Sequence, residues 1–133
     1  MKDCIFCKII NSEIPCYKIF ENDKILAFLD IANDFLGHTL VIPKVHCENI
    51  LDADEKTLQA VMSAIQKISK HYVKNCGFDG VNVFNANNKS AEQSVFHLHF
   101  HIIPRKNGDN LNISPNGKTQ NFNLEELQAK LKL

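Results

Sequence analysis

The stretch Gln93-Ser94-Val95-Phe96-His97-Leu98-His99-Phe100-His101-Ile102-Ile103-Pro104 alternates imidazoles with apolar side chains. A β-strand sends residues i, i+2 and i+4 to one face. The spacing therefore predicts a strand on which His97, His99 and His101 look outward together while the other face meets a core. At a rise of about 3.3 Å per residue, His97 and His101 stand roughly 13 Å apart at the backbone, too far for one metal ion to take all three. The pattern points to a division of roles, with the middle histidine near a reacting atom and its neighbours supporting it or bound to something else.

Outward from this strand, Val81-Asn82-Val83-Phe84-Asn85 alternates as a pairing strand, followed by the polar turn Asn87-Asn88-Lys89-Ser90. Tyr17–Glu21 and Lys24–Asp30 read as a hairpin closed at Asn22-Asp23, and His38–Pro43 as a β-branched strand ended by its proline. Asp52 with Glu55 has the form of a capping box. Leu58, Val61, Met62, Ile65, Ile68, Tyr72, Val73 and Cys76 then keep helical spacing up to Gly77, which predicts one long amphipathic helix. Lys56, Lys67, Lys70, Lys74 and His71 lie off that stripe as a solvated face. Cys4–Ile10 reads as a short helix or turn, and Asn123 caps a last short helix with Leu124, Leu127 and Leu131 on one side. Together these give an α+β class: a five-stranded antiparallel sheet with one long helix and short terminal helices. One domain is expected over residues 1–133, with its core at about 3–105 and a C-terminal loop and helix over 106–133.

A chain of 133 residues can bury about two-thirds of the surface its unfolded form exposes. Lys and Arg number 15, as do Asp and Glu. No global field therefore draws nucleic acid or an anionic membrane, and any phosphate binding must be local and the ligand small. No apolar run approaches the roughly 20 residues of a membrane span, and Met1-Lys2-Asp3-Cys4 lacks a signal-peptide apolar region, so the expected location is cytoplasmic. Five unevenly spaced cysteines suit a reducing compartment, with thiols free or on metal.

Cys4 and Cys7 form half of a tetrahedral zinc site, or are two small apolar residues of a first turn. His46 and one end of the histidine row, His97, are the candidates to complete the site, with Cys47 a rival ligand. A neutral imidazole attacks phosphorus when its other nitrogen donates to a fixed acceptor, and His99 is placed for this. Charge growing on non-bridging oxygens needs donors set in advance, and His101, Ser94, Gln93 and nearby backbone amides are the local supply. The five glycines are scattered and make no P-loop, which excludes NTPase chemistry of that type. Asp30 at a strand end could take both hydroxyls of a ribose or simply close a turn. Phe6, Phe28 and Ile31 could wall a base or fill the core.

His97-Leu98-His99-Phe100-His101-Ile102-Ile103 resembles the signature of the histidine triad (HIT) family, in which three histidines alternate with apolar residues. Cys4-Ile5-Phe6-Cys7, Ala27-Phe28-Leu29-Asp30-Ile31, Gly37-His38-Thr39-Leu40-Val41-Ile42-Pro43-Lys44 and Asn85 are similar, in the same order, to the Hint branch of small nucleotide-binding proteins. The resemblance covers roughly residues 3–105. It implies a homodimer made by joining two sheets into one, and hydrolysis of a nucleoside 5′-phosphoryl compound, typically an adenosine phosphoramidate, through a nucleotidyl-histidine intermediate. It implies His99 as nucleophile, with His101, Ser94 and Gln93 holding the phosphate and helping the leaving group depart. It further implies Asp30 on the ribose hydroxyls, Asn85 at the phosphate, and Phe28, Ile31 and His38 lining the pocket of a purine nucleoside. A structural zinc ion on Cys4, Cys7, His46 and His97 is implied as well. Dinucleoside polyphosphate hydrolysis and a nucleotide-binding regulatory module with little turnover are the alternative functions. Two departures stand out: Glu92 precedes Gln93 where the family usually has glycine, and Asn85-Ala86-Asn87-Asn88 lacks the glycine common after the asparagine.

Overall fold

In the computed structural model, which describes residues 3–113, 117 and 119–133, local hydrogen bonds fix the first hairpin. The Asn22 side-chain oxygen accepts from the Lys24 and Ile25 N–H groups at 2.9 and 2.8 Å, turning β1 (Lys18–Glu21) back into β2 (Ile25–Leu29). β3 (Thr39–Pro43), β4 (Gly80–Asn85) and β5 (Phe100–Arg105) complete one sheet in the order β1-β2-β3-β5-β4, antiparallel at every pairing. The predicted α+β architecture is therefore the observed one.

The sheet is covered on both faces. α2 (Glu55–Asn75) lays Val61, Ile65, Ile68 and Tyr72 on one side, against Ile25, Ala27, Val41, Leu98 and Ile102. α1 (Ile5–Ile10) lays Phe6 on the other, against Leu26, Phe28, Leu40 and Ile42. α3 (Leu124–Leu131) is capped by the Asn123 side chain, as its sequence predicts, but buries none of its residues. Among the described residues no helix is long and apolar enough to cross a membrane.

Three local expectations are corrected. The cap of α2 is Asp54, whose Oδ1 accepts from the Thr57 N–H at 2.7 Å. Asp52 instead closes the preceding turn by accepting from the Glu48 and Asn49 N–H groups. The histidine strand begins only at Phe100, because Pro43 has no N–H to extend the ladder and its carbonyl accepts from the His97 ring. The row of histidines also does not look out to solvent: α1 lies over it, leaving His97 fully buried and His99 nearly so.

Candidate active site and metal site

Strand register builds the floor of the site. Phe28 on β2 sits opposite Leu40 on β3, and Leu40 and Phe84 flank His101 on β5, so these four side chains cross the α1-covered face in one row. His99 and His97 lead into that row from the segment before β5.

Each histidine is fixed by a different partner. The His97 Nε2–H donates to the Pro43 carbonyl at 2.8 Å, which leaves its Nδ1 lone pair free. That nitrogen lies 3.4 Å from Cys4 Sγ, 3.6 Å from Cys7 Sγ and 3.2 Å from His46 Nδ1, and Cys7 Sγ lies 3.4 Å from His46 Nδ1. Zinc bonds of about 2.3 Å to sulfur and 2.05 Å to nitrogen, arranged tetrahedrally, put S and N about 3.5 Å apart and N and N about 3.3 Å apart. Four of the six donor–donor distances thus match the edges of a zinc tetrahedron, and the four residues form a potential metal-binding group. Burial pushes His97 down to about 4, so its ring is neutral, as a ligand must be. Burial and the Cys4 thiol push Cys7 up, a cost that a bound cation removes. The residues fit the ion. Cys47, the rival ligand, is packed in the α2-side core, where burial and then Asp52 and Asp54 push its thiol up to about 11.

The His99 Nδ1–H donates to the His97 carbonyl at 2.7 Å, leaving Nε2 as the bare nitrogen. The Asn85 amide donates to the His99 carbonyl at 2.9 Å, so Asn85 steadies this backbone. Burial holds His99 below the ordinary imidazole range. His101 follows a third arrangement: its Nδ1 lies 2.8 Å from His38 Nε2, and His38 Nδ1 lies 2.7 Å from an Asp34 carboxylate oxygen.

A cavity of about 280 Å³ opens over this row. Phe6, Phe28 and Leu40 wall it, the exposed Ile31 stands at its rim, and Asp30, Ser94, His99 and His101 are polar groups along it. One Asp30 oxygen accepts from the Ala32 N–H, so this residue closes a turn as well as lining the cavity. Ser94 also borders a second, wider groove of about 620 Å³ that Asp3, Glu48 and Phe96 line.

Three residues expected at the substrate do not line the cavity: Asn85, which holds the His99 carbonyl, His38 and Gln93. His38 does not line the cavity but backs His101. The Gln93 amide donates to the Glu48 and Val95 carbonyls and accepts from Asn49 and from the Asn88 N–H, so it ties down the loop before the histidines. Sequence reading missed Asp34 and Asn49. Asn49 is buried and donates to both Asn88 and Gln93. Neither belongs to a spacing pattern that could have marked it.

A family profile described as the HIT domain matches residues 11–108. An uncharacterised HIT-like protein of Borreliella burgdorferi is 46% identical over 127 residues, 94% of this chain and 89% of that protein. An adenosine 5′-monophosphoramidase of Schizosaccharomyces pombe is 41% identical over 104 residues, 78% of this chain and 75% of that one. The crystal structure of a zinc-bound histidine triad family protein from Mycobacterium smegmatis superposes with a TM-score of 0.80 at 35% identity, covering 88% of this chain and 85% of the other.

Proposed function

The chain belongs to the HIT family, and from that premise we propose that it hydrolyses nucleoside 5′-phosphoramidates, of a purine and most simply adenosine, through a covalent nucleotidyl-histidine intermediate on His99. The observation that carries this is the bare Nε2 of a buried, neutral His99 at an apolar cavity, its other nitrogen pinned at 2.7 Å to the His97 carbonyl.

The nucleoside enters the cavity with its base against Phe28 and Ile31 and its ribose hydroxyls on the free oxygen of Asp30. This places the phosphorus near Ser94, His99 and His101, with the leaving group in the groove on the far side of Ser94. His99 Nε2 attacks phosphorus, the P–N bond to the leaving amine breaks, and the amine departs with the proton of protonated His101. Water then attacks phosphorus and gives its proton back to His101, the P–N bond to His99 breaks, and AMP leaves with the His99 imidazole neutral again. Ser94 and, once protonated on Nε2, His101 supply donors for charge on the non-bridging oxygens. Asn85 acts through the backbone of His99 and Gln93 through the loop that carries Ser94.

Cys4, Cys7, His46 and His97 hold a zinc ion, which on binding ties α1 to the segment before His99. Four protein ligands leave no position for water, so the role is structural.

Incubating the protein with adenosine 5′-phosphoramidate and following AMP tests the assignment. The wild type releases AMP, and His99→Ala is slower by at least roughly 10³-fold. Equal background rates from both would overturn catalysis on this substrate class and leave a nucleotide-binding module.

A further inference from the structure

We propose that Asp34 is the positioning residue of His101, acting through His38, so that the phosphate-side histidine works as the end of a three-membered relay. The inference rests on the reading of the cavity as a phosphoryl-transfer site, but its geometry stands apart from it.

The relay follows from hydrogen-bond bookkeeping. A carboxylate only accepts, so His38 Nδ1, 2.7 Å from Asp34 Oδ1, carries the proton. In the proposed relay His38 keeps its lone pair on Nε2, and His101 Nδ1, 2.8 Å away, donates to it. The free nitrogen of His101 is therefore Nε2, bare and ready to take a proton. Asp30, the other carboxylate near His38, cannot do this: it stands 3.7 Å from His38 Nδ1, beyond hydrogen-bond range, and its other oxygen holds the Ala32 N–H. Partial burial opposes ionisation of Asp34, but the hydrogen bonds from His38 and from the backbone N–H groups of the turn hold its carboxyl below the usual carboxylate range.

The groups facing His101 are His99, His38, Asp30 and Asp34. Burial, with His99 and His38 next, pushes His101 down to about 4, and only the two aspartates oppose this. An anionic phosphoryl group arriving at the cavity favours a proton on His101 Nε2. The relay lets the resulting charge spread through His38 to Asp34. Without Asp34, His38 is free to exchange tautomers, and part of the population presents His101 with its proton on the wrong nitrogen.

Asp34→Ala, Asp34→Asn and Asp34→Glu test this in the full chain. Asp34 has 45% of its side chain exposed, so the variants should fold with unchanged denaturant midpoints. Long-range ¹H–¹⁵N correlation spectra of the substrate-free protein should show His101 protonated on Nδ1 in the wild type and mixed tautomers in Asp34→Ala. With adenosine 5′-phosphoramidate, kcat should fall by roughly 10- to 100-fold in Asp34→Ala with KM within about twofold. The alkaline limb of the rate profile should move to lower pH, because His101 holds its proton less well without the carboxylate. Asp34→Asn, which keeps an acceptor without the charge, should restore the tautomer but not the position of the limb, and Asp34→Glu should recover part of both. Unchanged His101 tautomers in Asp34→Ala overturn the relay even if the wild type shows no hydrolysis, an outcome that would sink the reaction assignment alone. Altered tautomers with unchanged kcat and pH profile overturn its part in catalysis.

Discussion

Glu92 holds φ at +65°, in the left-handed region, and Asn88 holds φ +70° with ψ 167°, a conformation nearly reserved for glycine. These fall on the two stretches where the resemblance to the HIT family leads one to expect a glycine. Both positions take backbone angles that glycine adopts at less cost. Gln93 and Asn49 hold this backbone through the hydrogen bonds that converge on Asn88. Relieving the crowding of a β-carbon against the following carbonyl is worth about 1 kcal/mol. Glu92→Gly should therefore stabilise the protein by about that amount, read as a higher urea midpoint at unchanged slope; a lower midpoint would show that the exposed Glu92 side chain contributes more than the strain costs. The two departures were legible in the sequence, but the positive φ angles at Asn88 and Glu92 were not. Asp34 was illegible for a different reason: it meets His38 across an irregular turn, where no repeat links one residue to another four positions on.

α1 has six residues, far short of the length at which a helix holds itself together in water. It is held by Phe6 against Phe28, His97 and His99, and its Cys7 and N-cap Cys4 belong to the potential metal-binding group. Stripping metal with a strong chelator should speed amide exchange at Lys8 and Asn11, whose N–H groups bond to the Cys4 and Cys7 carbonyls, by at least about tenfold. α2 should be unaffected, and zinc should restore the protection. Exchange in α1 that ignores the chelator would mean that packing alone secures the helix. Elements are also where periodicity served best and failed most clearly. Period two gave the correct shared face of the histidines, yet nothing in it says that a helix from the other end of the chain covers that face. Asp52 and Asp54 each precede a possible partner by three residues, and only the folded turn decides which of them caps α2.

Among the described residues β4 ends the sheet, with its outer side unpaired and Val83 and Phe84 exposed. An uncovered edge strand is a template for a second strand. We therefore expect two copies to join there, giving a particle of twice the 15.1 kDa chain by light scattering. Val83→Lys, which sets like charges against each other across the two-fold axis, should shift it toward monomer. A monomeric wild type at micromolar concentration would refute the pairing. At this scale the class of sheet was readable from five runs and one helix. The strand order was not, because placing β3 between β2 and β5 depends on packing that no single run contains.

Cys4 and His97 lie 93 positions apart in the chain, so the clasp that draws α1 over the histidines joins an early product of translation to a late one. Until residues 97 to 99 have left the ribosome, Phe6 of α1 has neither of the rings it packs against, and the thiols wait without the His97 nitrogen. The helix and the rings it covers can therefore meet only late in synthesis, and a chain cut short before residue 97 keeps both thiols with neither ring beside them.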